Sequence, residues 1–160
     1  AVMLRQKGIG SPEPVAYYTE RLFGLFLTKS YFISINSELP FTYNDIIAEK
    51  FDITEEREYL TAIAETTARL HEAGMVHQDY SRGNILFGRG ADGRVQVELI
   101  DLNRIRFHMV DIHEGCKNFA ERLPANDRQR RIMAEVYARI RHFDADECFR
   151  LMERYNKETQ

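Results

Sequence analysis

His77-Gln78-Asp79-Tyr80-Ser81-Arg82-Gly83-Asn84 is the stretch on which the reading of this chain turns. It lies between Met75-Val76 and Ile85-Leu86-Phe87, so a polar loop is held at both ends by segments that favour burial. A Gly-rich turn from Gly88 to Gly93 follows, and an apolar run from Val95 to Ile100 then delivers Asp101. The layout is loop, strand, turn, strand, acid. Asn84 and Asp101 offer hard oxygen donors of the kind that hold Mg²⁺ together with substrate phosphates. Asp79 stands five residues before Asn84, which lets a compact loop turn the carboxylate toward an acceptor while the amide faces a metal. That is the chemistry of phosphoryl transfer. A bare His-x-Asp-x-x-x-x-Asn pattern arises by chance in roughly one chain of this length in a hundred. The apolar flanks and the strand ending in Asp101 sharpen it.

Upstream of the loop, Leu60, Ile63, Ala64, Thr67 and Leu70 recur at three- and four-residue steps and predict a helix over 54–73. Glu55-Glu56 suit its first turn and Gly74 a left-handed cap at its end. Such a helix feeds Met75-Val76-His77 straight into the loop, where His77 is expected to orient the backbone by hydrogen bonding. Further upstream, Val15–Thr19 and Leu25–Ile35 read as strands of a hairpin with a turn near Gly24, preceded by a connector, Gly8 to Pro14. Asn36 to Pro40 interrupts this pattern with a polar segment.

Downstream, Leu102 to Phe107 reads as extended, and Arg104 and Arg106 suit an anionic acceptor or phosphates, although solvated or locally paired arginines look the same in sequence. Glu114 to Leu123 yields no chemistry from spacing, and Cys116 is expected in the core. Asn126 is the predicted N-cap of a helix with Ile132, Met133, Val136, Tyr137 and Ile140 on one face. Arg128, Arg131 and Arg139 share the other with Glu135, a face that fits either anionic headgroups or plain solvent. Asp144 and Glu147 open a last helix whose Phe149, Met152 and Tyr155 are predicted to point inward.

With 160 residues and 44% apolar content, one sizeable core is affordable. The net charge of -3 gives no electrostatic case for nucleic acid. Two distant cysteines and no long apolar run place the chain in a reducing, cytoplasmic setting with at most peripheral membrane contact.

The loop and the acid-bearing strand resemble the catalytic core of the protein-kinase-like fold. With Gly8-Ile9-Gly10-Ser11-Pro12-Glu13-Pro14, Ile100-Asp101-Leu102-Asn103-Arg104-Ile105-Arg106-Phe107 and Gly115-Cys116-Lys117-Asn118-Phe119, they resemble the C-terminal part of the lipopolysaccharide kinase family, the Kdo and heptose kinases of the bacterial envelope. The resemblance implies an α+β fold in which residues 1–35 are a remnant of the N-lobe, 36–40 a hinge and 41–160 the helical C-lobe. It implies ATP and Mg²⁺ as cofactors, Asp79 as catalytic base, Asn84 and Asp101 as metal ligands, and the backbone of Ile35, Asn36, Ser37 and Glu38 as the adenine edge. Ser81, Arg82 and Arg104 become candidate contacts to substrate or phosphate. The partners are a nucleotide and a glycolipid sugar acceptor, with peripheral contact at the inner face of the inner membrane.

Gln78 stands where protein kinases usually carry Arg, Ser81 where Ser/Thr kinases carry Lys, and Leu102-Asn103 where Phe-Gly is common. No Gly-x-Gly-x-x-Gly loop precedes the motif, and Lys7 and Lys29 do not lie on a strand suited to grip phosphates. The isolated chain is therefore expected to be inactive. A small-molecule kinase of the aminoglycoside or choline type and a pseudokinase scaffold are the competing readings.

Overall fold

A computed structural model describes residues 1–22 and 26–158; the turn expected near Gly24 lies outside them. The chain opens with α1 (Val2–Gln6), followed by β1 (Pro14–Leu22) and β2 (Phe26–Ser34). These two strands pair antiparallel, as the aromatic-rich runs predict. Then come β3 (Phe41–Thr42), α2 (Tyr43–Ile47), α3 (Ile53–Glu72), β4 (Met75–His77), β5 (Ile85–Arg89) and β6 (Val95–Leu99). After a 3₁₀ turn at Leu102–Arg104 follow β7 (Ile105–Phe107), α4 (Ile112–Ala120), α5 (Asp127–Arg141) and α6 (Ala145–Glu158). The segment expected to be extended from Leu102 is thus half 3₁₀ turn.

Helix α3 forms the spine of the larger part. Asp52 caps it by accepting the Thr54 and Glu55 amide hydrogens, and Gly74, at φ +70, ends it in the left-handed region that a side chain disfavours. Leu60, Ile63, Ala64, Thr67 and Leu70 are all buried, and α3 packs against α5. Asn126 and Gln129 make a reciprocal capping box on α5, whose Ile132, Met133, Val136 and Tyr137 line the same core. Asp144 caps the start of α6. The buried stripe of α6 is Cys148, Leu151, Met152 and Asn156, with Phe149 and Tyr155 only partly covered at its margin. Phe149 sits there because the Arg131 guanidinium stacks over its ring at 4.1 Å.

Two short antiparallel ladders hold the polar loop. One sheet runs β3-β5-β6, and a second pairs β4 with β7, setting His77 opposite Ile105. The segment before β1 is more than a connector: Ile9 and Ser11 are buried, and the Leu99 amide donates to the Gly10 carbonyl at 3.0 Å. A Cβ at position 10 would lie 1.9 Å from the Val97 carbonyl oxygen, so the close approach requires glycine. On α5, Arg128 pairs with Glu56 at 2.7 Å, Arg131 with Asp146 at 2.6 Å and Arg139 with Glu65 at 3.4 Å. The basic face is thus largely answered by acids of α3 and α6. No described helix is long and apolar enough to cross a membrane.

Candidate active site

The loop between β4 and β5 is built around His77, which is fully buried. Its Nε2 lies 2.9 Å from the Ile100 carbonyl, and its Nδ1 accepts the Asp79 amide hydrogen at 3.2 Å. Both bonds are satisfied with the hydrogen on Nε2. The Ile100 amide donates in turn to the Asn84 carbonyl at 3.1 Å. The residue before Asp101 is therefore clamped on one side by His77 and on the other by Asn84, and this ties the acid to the loop across the intervening strand pair.

Inside the loop, the Asp79 carbonyl accepts the Ser81 amide at 2.8 Å and the Asn84 side-chain Nδ2 at 2.9 Å. The Asn84 Oδ1 makes no bond among the described residues. Tyr80 points down into the core, its hydroxyl 2.5 Å from that of Thr67 on α3, and burial pushes the phenol's pKa up. The Gln78 amide donates to the Arg104 carbonyl at 3.1 Å, and the Tyr43 amide to that of Arg82 at 3.1 Å. Asp101 has φ 54 and ψ 49, a left-handed conformation uncommon for a residue with a side chain and frequent where geometry serves function.

A cleft of about 650 Å³ lies between β2 and this region, within the range of small-molecule sites. Ile35, Asn36 and Ser37 line one side of it and Leu86, Ile100 and Asp101 another. Glu38 does not line it; with Ile35, Asn36 and Ser37 it borders a smaller recess of about 210 Å³. Asp79 and Asn84 lie outside the cleft lining. Ser81 is half-buried, and Arg82 and Arg104 are exposed, with no side-chain bond among the described residues.

The Asp79 carboxylate has a partner that no local pattern announces. Arg122, just beyond α4, donates from one terminal nitrogen to Asp79 Oδ1 at 2.6 Å.

Helix α4 grips the loop at a second point. Asn118 Nδ2 donates to the His77 carbonyl at 2.9 Å, while its Oδ1 accepts from His71 Nε2 at 3.0 Å. His71 Nδ1 then accepts from the Tyr137 hydroxyl at 2.9 Å, to which Arg141 donates at 3.2 Å. This is one continuous polar chain from α5 to the loop, buried at His71 and Tyr137. Burial lowers the His71 pKa to about 4, so the ring is neutral near pH 7. A Cβ on Gly115 would lie 2.0 Å from the Tyr137 hydroxyl, so glycine lets α4 approach this chain.

The family model for the lipopolysaccharide kinase (Kdo/WaaP) family matches residues 3–130. The chain belongs to that family. The family is one of kinases, and the motif loop, the Asp101 strand and α4 all fall within the matched residues. The solved structure of "WaaP in complex with acyl carrier protein" is similar over 98% of this chain and 72% of its own, with a TM-score of 0.68 and 17% identity. At that identity the likeness speaks for the fold, which is the α+β kinase-like fold expected from the sequence. No curated protein matches the sequence.

For this lipopolysaccharide kinase family member, sequence reasoning named Asn118 only within the Gly115–Phe119 stretch, without a role, and missed Arg122 and His71. Asn118 carried a faint signal, a polar residue between Cys116 and Phe119 on the inward side of a helix. Arg122 carried none.

Proposed function

We propose that this chain is the catalytic lobe of an ATP-dependent phosphotransferase that moves the γ-phosphate to a hydroxyl of an inner-core sugar of lipopolysaccharide, Kdo or heptose. Residues 1–35 then belong to an N-lobe, 36–40 to the hinge and 41–160 to the C-lobe. The observation that carries this reading is the clamp on Ile100, which brings Asp101 to a cleft whose other rim is the segment Ile35 to Ser37. In that segment the Asn36 and Ser37 amides make no hydrogen bond among the described residues, so backbone groups remain to pair with a purine edge.

The residues present suit Mg²⁺. Asn84 Oδ1 and the Asp101 carboxylate are hard oxygen donors without a partner among the described residues, and Mg²⁺ commonly takes only one or two protein ligands beside substrate phosphates. When bound, the ion neutralises charge on the β- and γ-phosphates. Asp79 takes the proton from the acceptor hydroxyl. The acceptor oxygen forms its bond to the γ-phosphorus as the bond from that phosphorus to the β,γ-bridging oxygen breaks, and the electron pair leaves with ADP. Ser81, Arg82 and Arg104 flank this reaction on the acceptor and phosphate side. The acceptor is a glycolipid, which implies work on the cytoplasmic side, peripheral to the inner membrane.

The 160 residues hold no Gly-x-Gly-x-x-Gly loop before the motif, and Lys29, on β2, does not line the cleft and pairs with Glu20 at 3.8 Å, which supports inactivity of the isolated chain. The test is transfer of labelled γ-phosphate to Kdo- and heptose-bearing acceptors by the product of the whole coding sequence. Asp79→Asn is expected to abolish transfer while nucleotide binding persists; full turnover in that variant contradicts the assignment.

A further inference from the structure

We propose that Arg122 is a built-in positioning residue for Asp79, fixing the carboxylate by Oδ1 so that Oδ2 is presented to the acceptor hydroxyl. The inference rests on Asp79 being the base. Three observations point to it. The first is the direct bond of 2.6 Å across 43 residues of sequence, at the one carboxylate whose orientation decides proton transfer. Oδ2 has no partner among the described residues, so the bond leaves one oxygen free rather than consuming both.

The second is how the turn carrying Arg122 is held. The buried Asn156 of α6 donates both hydrogens of its Nδ2 to this turn, one to the Ala120 carbonyl at 3.0 Å and one to the Leu123 carbonyl at 3.2 Å. Leu123 is buried beside it. An exposed surface arginine needs no such support, whereas a group that must hold another in place does.

The third is an argument from magnitude. The Arg122 side chain is 51% exposed and that of Asp79 23%. A pair in that setting contributes little to stability. Its consequence is orientation, since a guanidinium bonds a carboxylate in a restricted geometry. The loop's own cation, Arg82, makes no bond to Asp79, so the fold supplies the charge from the turn after α4 instead. Arg122 takes no proton and bonds to no substrate atom in this scheme.

The test is steady-state kinetics on the full coding product with Arg122→Ala, Arg122→Lys and Asp79→Asn, alongside thermal unfolding. For Arg122→Ala, kcat is expected to fall roughly tenfold to a hundredfold, with KM for ATP and the unfolding temperature nearly unchanged. Arg122→Lys, or millimolar guanidinium added to Arg122→Ala, should restore part of the rate. An unaltered kcat in Arg122→Ala overturns the proposal while leaving the kinase reading intact. Full turnover in Asp79→Asn overturns that reading itself. Independently of turnover, the ¹⁵N resonances of the Arg122 guanidinium should move on Asp79→Asn in the 160-residue chain, and resonances that stay put also overturn the pairing.

Discussion

The β1–β2 hairpin and the loop-bearing region from β4 to β5 are both rich in aromatic and aliphatic residues, yet they meet opposite fates. In the hairpin, Val15, Tyr17, Tyr18, Phe26, Leu27, Tyr31, Phe32 and Ile33 are between 44% and 67% exposed, and every residue of β2 is exposed. Around the loop, Met75, Val76, Tyr80, Ile85 and Phe87 are at most 3% exposed. What differs is the neighbour. The loop is flanked by α3 and α4, which supply both apolar cover and hydrogen-bond partners, whereas the two strands mainly pair with each other. The loop is thus fixed by Asn118 and Arg122 on the helical side and by the clamp on Ile100 across the β5–β6 ladder, and the hairpin contributes one wall of the cleft.

The sharpest break of this contrast is a pair of truncations. Phe119→Ala empties a fully buried site between Tyr80 and Tyr137 and is expected to cost about 3–5 kcal/mol in urea unfolding. Phe32→Ala, in the hairpin, should change stability by no more than about 0.5 kcal/mol. Similar losses at both positions would mean that the hairpin is packed as tightly as the core.

A second expectation concerns pH. The folded state holds His71 neutral with a pKa of about 4, below the ordinary value of about 6.5. Above pH 6.5 neither state binds the proton and stability is unaffected by this group. As pH falls from about 6.5 to about 4, the unfolded chain takes a proton that the fold refuses, so stability drops by up to about 3 kcal/mol. Thermal unfolding of His71→Gln should show a flatter profile over that window, and an unchanged profile would remove His71 as the cause. Smaller again is Gly115→Ala, expected to cost about 1–3 kcal/mol by forcing α4 away from Tyr137. Its test is urea unfolding together with near-ultraviolet dichroism of the Tyr137 environment.

Much of the helical part was legible in sequence because its signals are local. Four apolar positions and Thr67 at helical spacing mark α3, and Asn126 marks the start of α5, where the structure adds Gln129 to the capping box. Helix α4 was hidden because Gly115 is a poor helix former and Asn118 breaks the apolar stripe, each for a reason that lies on α3 and α5. Helix α2 is a single turn, fixed by the Thr42–Asp45 box and the burial of Tyr43 and Ile46. The motif residues could be named from their spacing. The link from Asn84 through Ile100 to His77 could not, since it joins the loop to a strand beyond a turn, and neither could the pair of Arg122 with Asp79.

The most direct measurement is nucleotide affinity with and without Mg²⁺, by titration calorimetry on the full coding product and its variants. Mg²⁺ should tighten ATP binding, Asn84→Ala and Asp101→Asn should each lose most of that gain, and Asp79→Asn should keep it. A Mg²⁺ effect that survives both ligand substitutions would contradict the proposal that Asn84 and Asp101 serve one phosphate site.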